Sequence, residues 1–128
     1  MEGSNFRLNL AEKALSRLHE ITEKKFLSEI ERDGMIQRFE FCFEIMWKCG
    51  KDYLLKSEGL DAASPKKVIR LLREVGIFND EETEKFLEMA DDRNLTAHTY
   101  NEELAEKIAL RIREYEPLLT KLFNRIKN

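Results

Sequence analysis

The stretch DDRNLTAHTY, from Asp91 to Tyr100, brings an arginine, an asparagine, a histidine and a tyrosine close together and holds one of the chain's two histidines. A histidine near its ordinary pKa can take or give a proton at neutral pH. A neighbouring arginine can hold a phosphate and stabilise charge growing on its oxygens. Asn94 can orient a phosphate oxygen or the imidazole. Arg93, His98 and Asn94 therefore fit phosphodiester chemistry. RNA is the natural substrate for such a set, because its 2′-hydroxyl is a built-in nucleophile and neither a metal nor an activated serine is required. This cleavage wants both a general acid and a general base, and the stretch offers one histidine per chain. A two-fold dimer facing two copies of Arg93 and His98 would supply both, and would concentrate positive charge on an acidic protein.

A plainer reading makes the same residues the polar end of a helix. Arg93 then pairs with Asp91, Asp92 or an acid on another helix, and His98 caps a helix end. Arg93 and His98 are five apart, so on an unbroken helix they point about 140° from each other. They converge only where the backbone departs from an ideal helix or where a second subunit supplies the missing half. Glu40 and Glu44 read as a solvated face that could instead reach Arg93. With Asp92 they are the supporting candidates.

Other chemistries find little support. There is no glycine-rich phosphate loop, no dinucleotide fingerprint and no Ser/His/Asp or Cys/His arrangement. Asp91 and Asp92 diverge by about 100° on a helix, a poor pair for magnesium. Cys42 and Cys49 lie roughly 10 Å apart along one predicted helix, too far for a disulfide, and read as small core residues. No Cys/His cluster has zinc-ligand spacing, so neither metal nor cofactor is expected. His19 has no matching arginine upstream and reads as a surface or boundary residue. Phe41 and Trp47 could stack on a base, but they read first as packing residues.

The elements that must position these groups are helical. Hydrophobic residues make up 42% of the 128, charged residues 37%, and glycine and proline are scarce. One domain, residues 1–128, can bury a real core. A net charge of −3 argues against general electrostatic binding of nucleic acid, which needs a basic face. No apolar run approaches the ~20 residues of a membrane span and no signal-peptide core is visible, so a cytoplasmic protein is expected.

Five helices are predicted. The first runs from about Arg7 to Lys24, with Leu8, Ala11, Leu15 and Leu18 at helical spacing. A linker near Asp33-Gly34 leads to the second, about Met35 to Ser57, ended by Gly59. Its stripe of Phe39, Phe43, Met46, Gly50 and Leu54, with Phe41, Ile45 and Trp47 outside it, suggests a central helix or one that meets a partner subunit. Ser64-Pro65 starts the third and Gly76 stops it. Asn79 with Glu82 forms a capping box for the fourth, and Thr99 with Glu102 a second for the fifth. Pro117 lies within the fifth helix's long apolar face, predicting a kink or two shorter helices.

With these residues in view the chain resembles a known group. RNLTAHTY is similar to the Arg-x4-6-His motif of the HEPN superfamily, in the form ending His-x-Tyr. IQRFEFCFEIMWK, from Ile36 to Lys48, resembles the second helix of the nucleotidyltransferase substrate-binding proteins, close to HepT-type toxins. The resemblance spans nearly the whole chain. It implies an all-α fold, an up-and-down four-helix bundle with an additional short helix, usually a homodimer. It implies a small MNT-type nucleotidyltransferase as partner in a toxin–antitoxin-like module, and metal-independent ribonuclease activity. Carried over, Arg93 binds phosphate, His98 transfers protons, Asn94 supports them, and Tyr100 matches the tyrosine that the partner modifies with AMP. The alternative is a non-catalytic subunit that binds substrate or nucleotide for the nucleotidyltransferase. A helical scaffold without chemistry would instead consume the cluster in salt bridges and caps.

Overall fold

A computed structural model describes residues 2–128. The described residues form five α-helices and no strands: α1 (Glu2–Thr22), α2 (Glu29–Tyr53), α3 (Pro65–Glu74), α4 (Asp80–Leu95) and α5 (Glu102–Ile126). Helices α1, α2, α4 and α5 make the bundle, and α3 is the additional short helix. Helix α2 is central: α1 and α5 pack on it and on each other, while α3 and α4 pair against its remaining side.

The predicted stripes supply the core. Phe39, Phe43, Met46 and Leu54 of the α2 stripe are buried, as are Ile108, Ile112, Tyr115, Leu119, Leu122 and Ile126 of the last helix. Tyr115 stacks on Phe39 with ring centroids 5.8 Å apart. Fully burying a side chain of this class is worth about 1.5–3 kcal/mol, so the α2–α5 contact is a main source of stability. Gly50 lets α3 approach α2. A Cβ there would meet Val68 at 3.0 Å and Leu72 at 3.2 Å. Cys42 and Cys49 are buried free thiols, and burial pushes both up to about 12.

Three boundaries differ from the sequence reading. Helix α2 begins at Glu29, ahead of the expected linker, because Ser28 and Glu31 close a capping box: Glu31 N–H donates to Ser28 Oγ at 3.1 Å and Ser28 N–H to Glu31 Oε1 at 3.0 Å. Gly34 thus sits inside the helix with nothing within 4 Å of its missing Cβ, at a cost of about 1 kcal/mol relative to alanine. Thr99 does not cap α5. Asn101 does, its side chain accepting from Leu104 N–H at 3.1 Å. Pro117 does not divide α5. The proline is on the exposed face, so the carbonyl it leaves unpaired can turn to water while Tyr115 and Leu119 stay buried on the other side.

The other caps stand as read. Lys67 N–H donates to Ser64 Oγ at 3.3 Å, with Pro65 in the first turn of α3. Asn79 and Glu82 form the α4 capping box. Past α2 the chain makes one wide π-helical turn, Leu54–Glu58, and leaves it through Gly59 at φ 69°, where a side chain would be strained. Among the described residues no helix is long and apolar enough to cross a membrane.

Candidate active site

Helix α4 begins with Asp80, Glu81 and Glu82 and carries Arg93 in its last turn, both favourable to the helix dipole. Arg93 leans toward α2. Its Nη1 lies 3.5 Å from Glu40 Oε2 and its Nε 3.4 Å from Glu44 Oε1. Nη1 also donates to Thr96 Oγ1 at 3.3 Å. Nε is buried and poorly aimed at Glu44, so it makes no hydrogen bond. Glu44 also accepts from the Trp47 indole at 3.2 Å, so a polar chain runs from Trp47 through Glu44 to Arg93. The Thr96 hydroxyl sits 2.8 Å from Glu40 Oε2 and 2.6 Å from the Arg93 carbonyl, and its one proton serves one acceptor at a time. Glu40 and Glu44 therefore reach Arg93, the outcome the sequence left open beside a solvated face.

After Leu95 the backbone tightens into a single 3-10 turn, Thr96–His98. The backbone thus departs from an ideal α-helix between Arg93 and His98. Thr99 N–H and Oγ1 both donate to the Thr96 carbonyl, and Asn101 N–H donates to the His98 carbonyl at 3.1 Å. His98, Asn94 and Tyr100 are exposed, Tyr100 at 84%. The His98 and Tyr100 rings meet edge to face with centroids 6.1 Å apart.

Asp92 goes elsewhere. It is 3% exposed and faces α5, where it accepts from the Tyr115 hydroxyl and from Arg111 Nη1 at 2.9 Å. Burial and the adjacent Asp92 push the Tyr115 phenol well above its ordinary range. Asp91 pairs with Lys66 of α3 at 2.6 Å. Among the described residues no three His, Cys, Asp or Glu side chains gather as metal ligands.

The sequence reading missed Arg32. This residue is 5% exposed and donates to Glu102 and Glu106 of α5, each at 2.8 Å, and to Asp33. Its hydrogen bonds to Glu102 raise its pKa further above the guanidinium range. Arg32 fastens the first turns of α5 to α2, and so holds the far end of the turn that carries His98 and Tyr100. The capping box at Ser28-x-x-Glu31 was the signal that places Arg32 inside a helix.

His19, on α1, is 60% exposed at its side chain. It bonds Glu116 of α5 through Nδ1 and lies 3.1 Å from Glu23 through Nε2. The hydrogen bond to Glu116, itself nearly buried, raises the His19 pKa above its ordinary value. It is a clasp between α1 and α5, away from the Arg93 cluster.

Known proteins share this architecture. Residues 6–128 match the model of the family described as nucleotidyltransferase substrate binding protein like. A Haemophilus influenzae protein named probable ribonuclease HepT is 30% identical over 86 residues, 64% of this chain and 58% of that protein. The chain thus matches rather more than half the length of that relative. A crystal structure of a Thermus thermophilus protein superposes with a TM-score of 0.89 at 50% identity, covering 92% of this chain and 99% of the other. A Haemophilus influenzae structure, described as the fold of a substrate binding domain of a nucleotidyltransferase, superposes at 0.80 with 24% identity, covering 94% and 99%. The chain belongs to the nucleotidyltransferase substrate-binding protein-like family.

Proposed function

We propose that this chain is a metal-independent ribonuclease of the HepT kind, acting as a homodimer with its site in the cleft between two copies. The observation that carries this reading is the end of α4. A guanidinium is positioned against α2 by Glu40 and Glu44, and an exposed histidine follows on the turn just beyond. Arg93 holds the scissile phosphate and stabilises the charge that grows on its oxygens. Asn94 orients a phosphate oxygen. His98 takes the proton from the 2′-hydroxyl as that oxygen attacks phosphorus, and the imidazole of a second copy protonates the departing 5′-oxygen. A 2′,3′-cyclic phosphate and a 5′-hydroxyl result, with no metal ion in the scheme. In this resting state the Arg93 charge is partly neutralised by two carboxylates, and an incoming phosphate competes with them.

The partner in this reading is a small MNT-type nucleotidyltransferase, and the pair form a toxin–antitoxin-like module in the cytoplasm. Tyr100 is the residue it modifies. The phenol is exposed and its ring stands beside His98, so an AMP group there sets bulk and negative charge at the phosphate site and keeps RNA out. A second reading, a substrate- or nucleotide-binding subunit without cleavage, draws on the same two carboxylates, which leave Arg93 less free to act in catalysis.

The test is cleavage of a labelled transfer RNA in EDTA by wild type beside His98→Ala, with the mass of the wild type measured first. Cutting that is lost in the variant supports the ribonuclease. Absence of cutting by a folded, unmodified wild type overturns it in favour of the binding subunit. An adduct of AMP mass on Tyr100 identifies an enzyme already switched off, and removing it must then restore cutting.

A further inference from the structure

Helices α1 and α2 enclose an open groove of about 600 Å³. Lys13 and Arg17 of α1 and Arg38, Gln37, Gly34 and Phe41 of α2 line it, and no acidic residue does. Most arginines of this chain, among them Arg7, Arg32, Arg73, Arg93, Arg111 and Arg125, are paired with carboxylates. Lys13, Arg17 and Arg38 make no ion pair with any described residue within 4 Å, although the protein is acidic overall. Arg38 is set in place by donating to the Arg17 carbonyl at 2.7 Å, which leaves the rest of its guanidinium fork free. Phe41 is 57% exposed. Gly34 lies in mid-helix with open space where a Cβ would stand, so the groove floor admits close approach of another backbone.

We propose that this groove binds the phosphodiester backbone of single-stranded RNA, with Lys13, Arg17 and Arg38 on phosphates and Phe41 stacked on a base. Three unpaired cations on an acidic protein, beside an exposed aromatic face, are the recognition chemistry of a single strand. The groove also leads toward the candidate site. Glu40 and Glu44 follow Gln37 and Phe41 by three residues each, about 60° around the helix, so the next stripe of α2 is the one that holds Arg93. A strand crossing α2 passes from the groove to the guanidinium. That RNA is the strand rests on the ribonuclease reading. The groove supplies the basic surface that the sequence, with its cations scattered over two helices, did not display.

The experiment measures binding of a fluorescent oligouridylate by anisotropy over a salt series, in the His98→Ala background so that turnover does not consume the probe. K13Q/R17Q/R38Q is expected to weaken binding at least tenfold at low salt. It should also flatten the log–log salt slope by about 2, roughly 0.7 for each phosphate no longer neutralised on a single strand. Phe41→Ala is expected to weaken binding roughly tenfold with the slope unchanged. K85Q/K107Q/K121Q, which makes the same change in net charge on α4 and α5, is expected to do neither. Equal losses in both triple variants overturn the groove in favour of general electrostatics. Wild-type binding by the groove variant also overturns it. A change of oligomeric state in the groove variant, seen by sedimentation without loss of RNA affinity per chain, makes the groove a contact between copies instead. AMP bound as tightly as the oligonucleotide would reduce it to a mononucleotide site. The ribonuclease reading stands or falls separately, on cleavage by wild type against His98→Ala.

Discussion

Asp92 and Arg93 are neighbours in sequence and opposites in circumstance. Asp92 is 3% exposed, faces α5 and is satisfied by Tyr115 and Arg111. Arg93 has a side chain 27% exposed, faces α2 across distances of 3.4–3.5 Å and keeps one buried N–H without a hydrogen bond. Consecutive residues on a helix diverge by about 100°, and the fold assigns one direction to stability and the other to the polar cluster of Glu40, Glu44 and Thr96. Short, well-aimed bonds around a buried carboxylate specify a structure. Long, loosely aimed contacts around a partly exposed guanidinium leave it able to exchange partners. The pairing with Glu40 and Glu44 has side chains 32% and 41% exposed and is worth at most about 1 kcal/mol per pair.

This contrast can be broken at several strengths. The largest expected effect is on activity: His98→Ala should lower RNA cleavage at least about 100-fold while the melting temperature stays within about 2 °C, since an exposed side chain carries little stability. A matching fall in melting temperature would put His98 on the structural side of the divide. Next is Asp92→Ala, which takes the acceptor from Arg111 and leaves the Tyr115 hydroxyl only Glu88, at 2.8 Å. It should cost about 2 kcal/mol and roughly 6 °C in melting temperature, read by calorimetry. A variant that melts like wild type would remove the stated reason for Asp92 being buried. Tyr115→Phe keeps the stack on Phe39 and deletes only the hydroxyl. About 1–2 kcal/mol should be lost in a denaturant titration, and a null result would mean Arg111 alone satisfies Asp92.

The smallest expected effect tests a third polar contact, between α1 and α5. Glu116 is buried like Asp92 but is held by the exposed His19. The His19 pKa is raised in the folded state by the Glu116 hydrogen bond. Its contribution is therefore fully present below the unfolded histidine pKa of about 6.5 and is lost as pH rises through the raised value. His19→Gln should lower the melting temperature at pH 6 and change it little at pH 9. The same decrement at both values would show that protonation of His19 does not matter to the clasp.

Much of the fold is legible locally. Ser64-Pro65 and Asn79-x-x-Glu82 place two helix starts because a cap is a contract between residues three apart. Ser28-x-x-Glu31 obeys the same rule, but a reading that breaks the chain at Asp33-Gly34 does not use it. Gly34 is tolerated because α2 is anchored by buried residues on both sides of it, Arg32, Met35 and Ile36 among them. Thr99 lost to Asn101 because the 3-10 turn, not local propensity, decides where α5 can begin. The residue types of the candidate site were visible in one short stretch, and the carboxylates of α2 were visible as a strip. Their meeting with Arg93 stayed open beside a solvated face, since it depends on how α4 leans on α2. Arg32 was hidden for the same reason: its partners lie 70 and 74 residues away.

The most direct test of the central claim is Arg93→Gln, melted and assayed on labelled RNA in EDTA in the same preparation. Cleavage is predicted to be at least about 100-fold slower at a melting temperature within a few degrees of wild type, because the ion pairs given up are partly solvated. Wild-type cleavage by the folded variant would contradict this, and would return the end of α4 to a polar helix terminus.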